Sequence, residues 1–198
     1  MSSEFYVLRR FLTRYSLFSW HRVTAFSFGL LLLVSTQAGA ERPVSEYELK
    51  AAFIYNFTRF TEWPNTAFDD ENQSFNICVY GEDPFGDAFS SFLDKKAAGR
   101  SIVYRRIPQG ESSAGCQILY ISGSESAQQR QVLAQLAAAP VLTVSDMKDF
   151  ASQGGMVGLV RKDRKIGIQI NLSSVHSAGL RVSAKLLSVA EVVGEEER

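Results

Sequence analysis

Phe75-Asn76-Ile77-Cys78-Val79-Tyr80-Gly81 is the run on which the fold turns. Aromatic and β-branched residues dominate it and a glycine closes it, so it reads as a strand ending in a turn. Outward from it, the chain alternates. Pro84 to Leu93 places Phe85, Phe89, Phe92 and Leu93 on one side of a short helix. Ser101 to Ile107 is a second strand, Gln109 to Gly115 a loop, and Cys116 to Ser122 a third strand. An Ala/Gln/Leu-rich stretch from about Ser124 to Ala138 predicts a longer helix. Val141 to Val144 is then a fourth strand, closed by Ser145-Asp146.

A helical turn at Met147 to Ala151 and the pair Gly154-Gly155 lead into a hairpin, read as a plain turn rather than a ligand loop. Its strands are Met156 to Val160 and Ile166 to Leu172, where Ile166, Ile168 and Ile170 alternate with Gly167, Gln169 and Asn171. That period of two marks a strand with one buried face. The charged run Arg161 to Lys165 between them reads as a solvated turn. Two short helices separated by Gly179 follow, the second with Val182, Leu186, Val189 and Val193 as an apolar stripe.

Upstream of the strands, Ser45 and Glu48 have capping-box spacing, with Val44 and Leu49 placed as a hydrophobic staple. A helix therefore begins at Ser45 and ends at Trp63-Pro64, because the residue before proline is pushed out of the α region. Its stripe is Leu49, Phe53, Phe57 and Phe60, with Ile54 at the margin. Tyr55 points away from that stripe, one turn from Arg59, where it can stack on the guanidinium. Thr66 to Ser74 is a polar loop. This order of elements predicts one α/β domain, compact and layered, with a mixed sheet flanked by helices.

The first 40 residues have a different character. Arg9, Arg10, Arg14 and Arg22 precede an uncharged apolar run from Val23 to Val34, and Ala38-Gly39-Ala40 follows. This is the layout of a cleavable Sec-type signal peptide, and the apolar run is too short for a stable membrane span. The expected division is residues 1–40 as signal and 41–198 as an exported, periplasmic domain, with a disordered acidic tail from about residue 194. Taking four arginines and one glutamate from 21 basic and 21 acidic residues leaves 17 and 20. Nucleic-acid binding is not expected from that balance.

Cys78 and Cys116 are the chain's two cysteines. In an oxidising compartment an even count suggests a disulfide, with two buried free thiols as the alternative. His176 is the one histidine beyond the signal segment, which leaves little for a metal site; no metal or cofactor is expected. The P-loop, dinucleotide, zincin and nucleophile-elbow motifs are absent from the sequence. Asp83 and Asp146 follow the first and fourth strands, where ligands of open α/β sheets bind, although each is also placed to cap the helix after it. Tyr55 and Trp63 are the aromatic residues expected at the surface. With Arg59 and Arg181 these carboxylates and aromatics form the candidate set for binding a partner or ligand.

Several ordered segments together resemble the YfiR family of periplasmic proteins. They are residues 47–57, Thr61-Glu62-Trp63-Pro64, Cys78-Val79-Tyr80-Gly81, residues 141–146 and 154–159, Ile170-Asn171-Leu172, and residues 178–187. The resemblance implies an α/β fold and adds weight to a Cys78–Cys116 bridge. It also implies regulation without catalysis: repression of an inner-membrane diguanylate cyclase through its periplasmic sensory domain, lowering cyclic di-GMP and biofilm formation. A sensor kinase is another partner of this kind, and relief by an outer-membrane lipoprotein and a homodimer belong to the same expectation. A periplasmic small-ligand sensor is the alternative function, and an envelope enzyme a third. With only two cysteines, the chain departs from the best-understood member, which puts a second disulfide near residues 145–155 in doubt.

Overall fold

The computed structural model describes residues 44–194 except 137 and 164. The expected signal segment and the acidic tail from residue 195 lie outside the described residues. Helix α1 spans Glu46–Phe60 and opens as its sequence predicts. The Ser45 side chain accepts from the Glu48 amide at 3.1 Å, while the Glu48 carboxylate accepts from the Ser45 amide. Each partner thereby satisfies a backbone donor that the first helical turn leaves free.

The strands are β1 (Thr61–Glu62), β2 (Phe75–Tyr80), β3 (Lys96–Ala97), β4 (Arg100–Ile107), β5 (Ile118–Ile121), β6 (Leu142–Ser145), β7 (Val157–Lys162), β8 (Lys165–Asn171), β9 (Arg181–Val182) and β10 (Glu191–Val193). Eight of them form one mixed sheet in the order β10-β8-β7-β6-β5-β2-β4-β3, and β1 pairs with β9 separately. Strands β4, β2, β5, β6 and β7 run parallel, while β8 folds back against β7 as the expected hairpin. The later helices are short: α2 (Gln129–Gln135), α3 (Leu172–Ser177) and α4 (Ala184–Leu187).

The pleat sends alternate residues to opposite faces. Phe75, Ile77 and Val79 of β2 join Ile118 and Tyr120 of β5 and Leu142 and Val144 of β6 in a core that includes Ala51, Ile54 and Phe57 of α1. Cys78, Tyr80, Leu119 and Ile121 face the other way, into a smaller core with Val132 and Leu136. The sheet is thus covered on both faces, which is why its central strands read as nearly continuous apolar runs. Cys78 and Cys116 form a disulfide within the smaller core, with Cα atoms 6.0 Å apart.

Several expectations need correction. Residues 84–93 are turns with a single 3-10 segment at Ser90–Phe92, not a helix; Gly86 has a positive φ of 53°, which no right-handed helix accepts. Phe85 and Phe89 are buried all the same, whereas Leu93 is exposed. The helix foreseen over 124–138 is confined to Gln129–Gln135, behind a 3-10 turn at Gly123–Glu125. The last expected helix holds only Ala184–Leu187, because Val182 and Val193 belong to strands β9 and β10. The buried side of α1 is also rotated from its expected stripe: Lys50, Ala51, Ile54, Phe57 and Thr58 face the core, while Leu49 is exposed and Phe53 and Phe60 are half-buried.

Candidate functional site

The candidate residues separate onto two ends of the sheet. Asp83 and Asp146 both lie at the carboxyl ends of parallel strands, β2 and β6, with β5 between them, and each is engaged within the fold. Asp83 accepts from the Tyr104 hydroxyl at 2.7 Å, from Arg106 Nε at 2.5 Å and from the Phe85 amide at 2.8 Å. Its carboxylate is almost fully covered. Burial, then the hydrogen bond and negative charge of Asp83, push the Tyr104 phenol far above its ordinary range.

Asp146 meets Lys50, whose ammonium lies 2.5 Å from Oδ2 and 2.6 Å from Glu46 Oε1. Arg161 pairs with the other oxygen of Glu46 at 2.8 Å. The Lys50 nitrogen also sits 4.4 Å above the centre of the Tyr47 ring. Burial alone would raise the Asp146 carboxyl, but the Lys50 ammonium and the neighbouring Tyr120 hydroxyl outweigh it and hold the group below its ordinary value. Burial likewise opposes the charge on Lys50, and its bonds to Asp146 and Glu46 win, leaving its pKa raised. Sequence reading missed Lys50, because a lysine on an amphipathic helix reads as solvated. Capping after β6 falls to the Ser145 hydroxyl, which accepts from the Met147 amide at 3.1 Å.

Gly81 lies where the strand order reverses between β2 and β5. Its φ is +89°, and a Cβ there would fall 2.5 Å from both Glu125 Oε1 and Ser124 Oγ. The buried Glu125 thus occupies the crevice in which an open α/β sheet would take a ligand. Gly155 plays a comparable packing part, because the Phe150 ring lies directly against it.

The remaining candidates sit along α1 and at its carboxyl end. Tyr55 does not stack on Arg59 as expected. It lies parallel to Phe92 at 4.7 Å, with the Lys95 ammonium 5.6 Å from its ring centre. Arg59 is exposed and makes no hydrogen bond or ion pair among the described residues. Trp63 is half-buried, edge-on to Phe75 at 4.9 Å, and its indole donates to the Gln117 carbonyl at 3.1 Å. Arg181 crosses from β9 to Glu62 of β1 at 2.7 Å, with both side chains exposed.

Between α1, β8 and α4 runs an open apolar groove of about 230 Å³, lined by Phe53, Asn56, Phe57, Phe60, Ile168, Lys185, Leu186 and Val189. Sequence reading took Phe53, Phe57, Phe60, Ile168, Leu186 and Val189 for packing residues, although the aromatic density around Phe57 and Phe60 also allows an exposed contact patch there. The rotation of the helix stripe is what leaves Phe53 and Phe60 only half-buried. A second cleft of about 350 Å³ opens beside Cys116, with Asp69 and Glu111 in its wall.

These features define an α/β domain whose strand-end carboxylates are spent on internal bonds and whose open surface is an apolar flank, the makings of a binding protein. The chain belongs to the YfiR/HmsC-like family, whose sequence model matches residues 47–191. It is a periplasmic family, regulatory rather than catalytic. Among the described residues no helix is long and apolar enough to cross a membrane.

Proposed function

We propose that this domain is a non-enzymatic periplasmic regulator that binds the sensory domain of an inner-membrane signalling protein, foremost a diguanylate cyclase, and holds it inactive. The observation that carries the reading is the apolar groove between α1 and α4, beside which Val189 is 69 % exposed. A monomer gains nothing from leaving Val189 exposed and Phe53 and Phe60 only half-buried, and a partner that covers them gains the remaining burial energy. Repression then follows from differential affinity: the partner's equilibrium shifts by the ratio of the domain's affinities for its two conformations. An outer-membrane lipoprotein that competes for the same flank relieves it.

The test compares the tagged domain with its Phe60→Glu and Val189→Glu variants in cells. Crosslinked partners are identified by mass spectrometry and cyclic di-GMP is measured in parallel. The reading expects a membrane cyclase or kinase captured by the wild type and lost from both variants, with cyclic di-GMP rising. Unchanged capture and unchanged cyclic di-GMP in folded variants would refute it. The second reading, a small-ligand sensor, is favoured by the 350 Å³ cleft beside the disulfide. It predicts saturable thermal stabilisation of the isolated domain by a metabolite.

A further inference from the structure

The edge of the main sheet at β4 is open. β3 covers β4 only at Arg100 and Ser101. The Gly81 amide donates to the Ile107 carbonyl, so the backbone groups of Ile107 point toward β2. By the period of two, those of Arg105 and Val103 do the same, and the N–H and C=O of Tyr104 and Arg106 point away from β2. None of these outward groups has a hydrogen-bond partner among the described residues. A row of unpaired backbone groups in extended geometry is a template for one more strand.

Charge selects what can occupy it. Residues 94–107 hold five basic side chains against one acid, Asp94; with Arg106 paired to Asp83, the cations without a carboxylate partner among the described residues are Lys95, Lys96, Arg100 and Arg105. Two copies of this chain paired edge to edge would gather both basic sets along one ladder, and like charges across strands are destabilising. The same charges attract an acidic segment. Val103 adds an apolar contact, being 38 % exposed on the strand itself. Arg106 is held by Asp83, which fixes the direction in which that end of the edge presents its charge.

We infer that the β4 edge accepts an extended acidic segment of another protein by strand addition, with main-chain bonds to Tyr104 and Arg106 and charge contacts to Arg105 and its basic neighbours. This surface lies on a different element from the α1–α4 groove and stands whether or not the repressor reading holds.

The probe is a synthetic seven-residue peptide alternating glutamate with valine and threonine, added to the folded domain. Amide hydrogen exchange should show Tyr104 and Arg106 unprotected in the free domain and protected with peptide, while Val103 and Arg105 are protected in both. A peptide N-methylated at alternate residues, which keeps its charge but loses its donors, should bind at least about tenfold more weakly. Arg105→Glu should weaken the unmodified peptide by a similar factor. A lysine-for-glutamate peptide should not bind. Protection of Tyr104 and Arg106 in the free domain would overturn the inference. So would equal binding of the N-methylated peptide, or no binding of the acidic one.

Discussion

Replacing Lys50 by methionine tests the charge arrangement at the strand ends most directly. Lys50 is 3 % exposed, and the Asp146 side chain it neutralises is 18 % exposed. Removing one member of a buried pair strands the other, which costs roughly 3–5 kcal/mol when burial is complete. Asp146 keeps some contact with water, so the lower end applies: about 3 kcal/mol at neutral pH. Glu46 adds little, because it is 37 % exposed and keeps Arg161. The sign of the pH dependence follows from Asp146. In the wild type its folded pKa is depressed, so its contribution is present above the ordinary carboxylate range and lost as pH falls through the depressed value. In Lys50→Met the main depressing group is gone and burial pushes the carboxyl up, so acidification relieves the variant while it weakens the wild type. The deficit should therefore shrink from about 3 kcal/mol at pH 7 toward zero near pH 3. Urea unfolding followed by the fluorescence of Trp63, the one tryptophan beyond residue 40, reads it out. The double variant Lys50→Met/Asp146→Asn should recover at least half of the loss. A deficit below about 1 kcal/mol at pH 7, or one that does not change with pH, would refute the reasoning.

The Cys78–Cys116 bridge closes a loop with a sequence separation of 38. The double alanine variant should lose about 4 kcal/mol on the chain-entropy model, measured as a lower urea midpoint. Gly81→Ala forces a side chain into a φ of +89° and against Glu125. It should cost about 2 kcal/mol or more, seen as a Tm lowered by several degrees; an unchanged Tm would mean that Glu125 does not fill the crevice. Arg181→Glu breaks only the exposed pair with Glu62, and should change stability by less than about 1 kcal/mol in a thermal melt. If Arg181 also touches the partner, the same variant should lose repression while it melts normally.

The parts of the fold legible in the sequence were those set by local rules. The capping box of α1 is a matter of two side chains three residues apart, and it forms as its spacing demands. The alternation of strands and helices gave the sheet, and the hairpin of β7 and β8 followed from a period of two. What was not legible depends on partners distant in the chain. Lys50 enters the core because Asp146, 96 residues on, is there to receive it. That displacement rotates the buried side of α1 toward Ile54 and leaves Phe53 and Phe60 only half-buried, where simple periodicity had buried them. Residues 84–93 have helical spacing of their phenylalanines, yet Gly86 and packing on Tyr120 and Tyr104 hold them as turns. Of the candidate site, residue identity was readable at Asp83 and Asp146, and their state was not. Both carboxylates are where strand ends should put them, but each is already answered by a cation from another element.

That internal satisfaction bears on where function can lie. The reversal of strand order at β2 and β5 is the place where an α/β sheet usually offers a crevice. Here the one residue small enough to open it, Gly81, admits the Glu125 carboxylate instead. Asp83 and Asp146, on either side, are closed by Tyr104 with Arg106 and by Lys50 with Glu46. A ligand arriving at Asp83 or Asp146 would have to displace charge-assisted bonds with partners already in place, which a small molecule can seldom repay. The α1–α4 groove makes less demand, since its lining is mostly apolar, with Asn56 and Lys185 as its polar members, and no ion pair has to be broken before it is covered. The chemistry of the strand ends therefore stabilises the domain, which is why the proposed binding surfaces are its flank and its open β4 edge and not the crevice beyond Asp83 and Asp146.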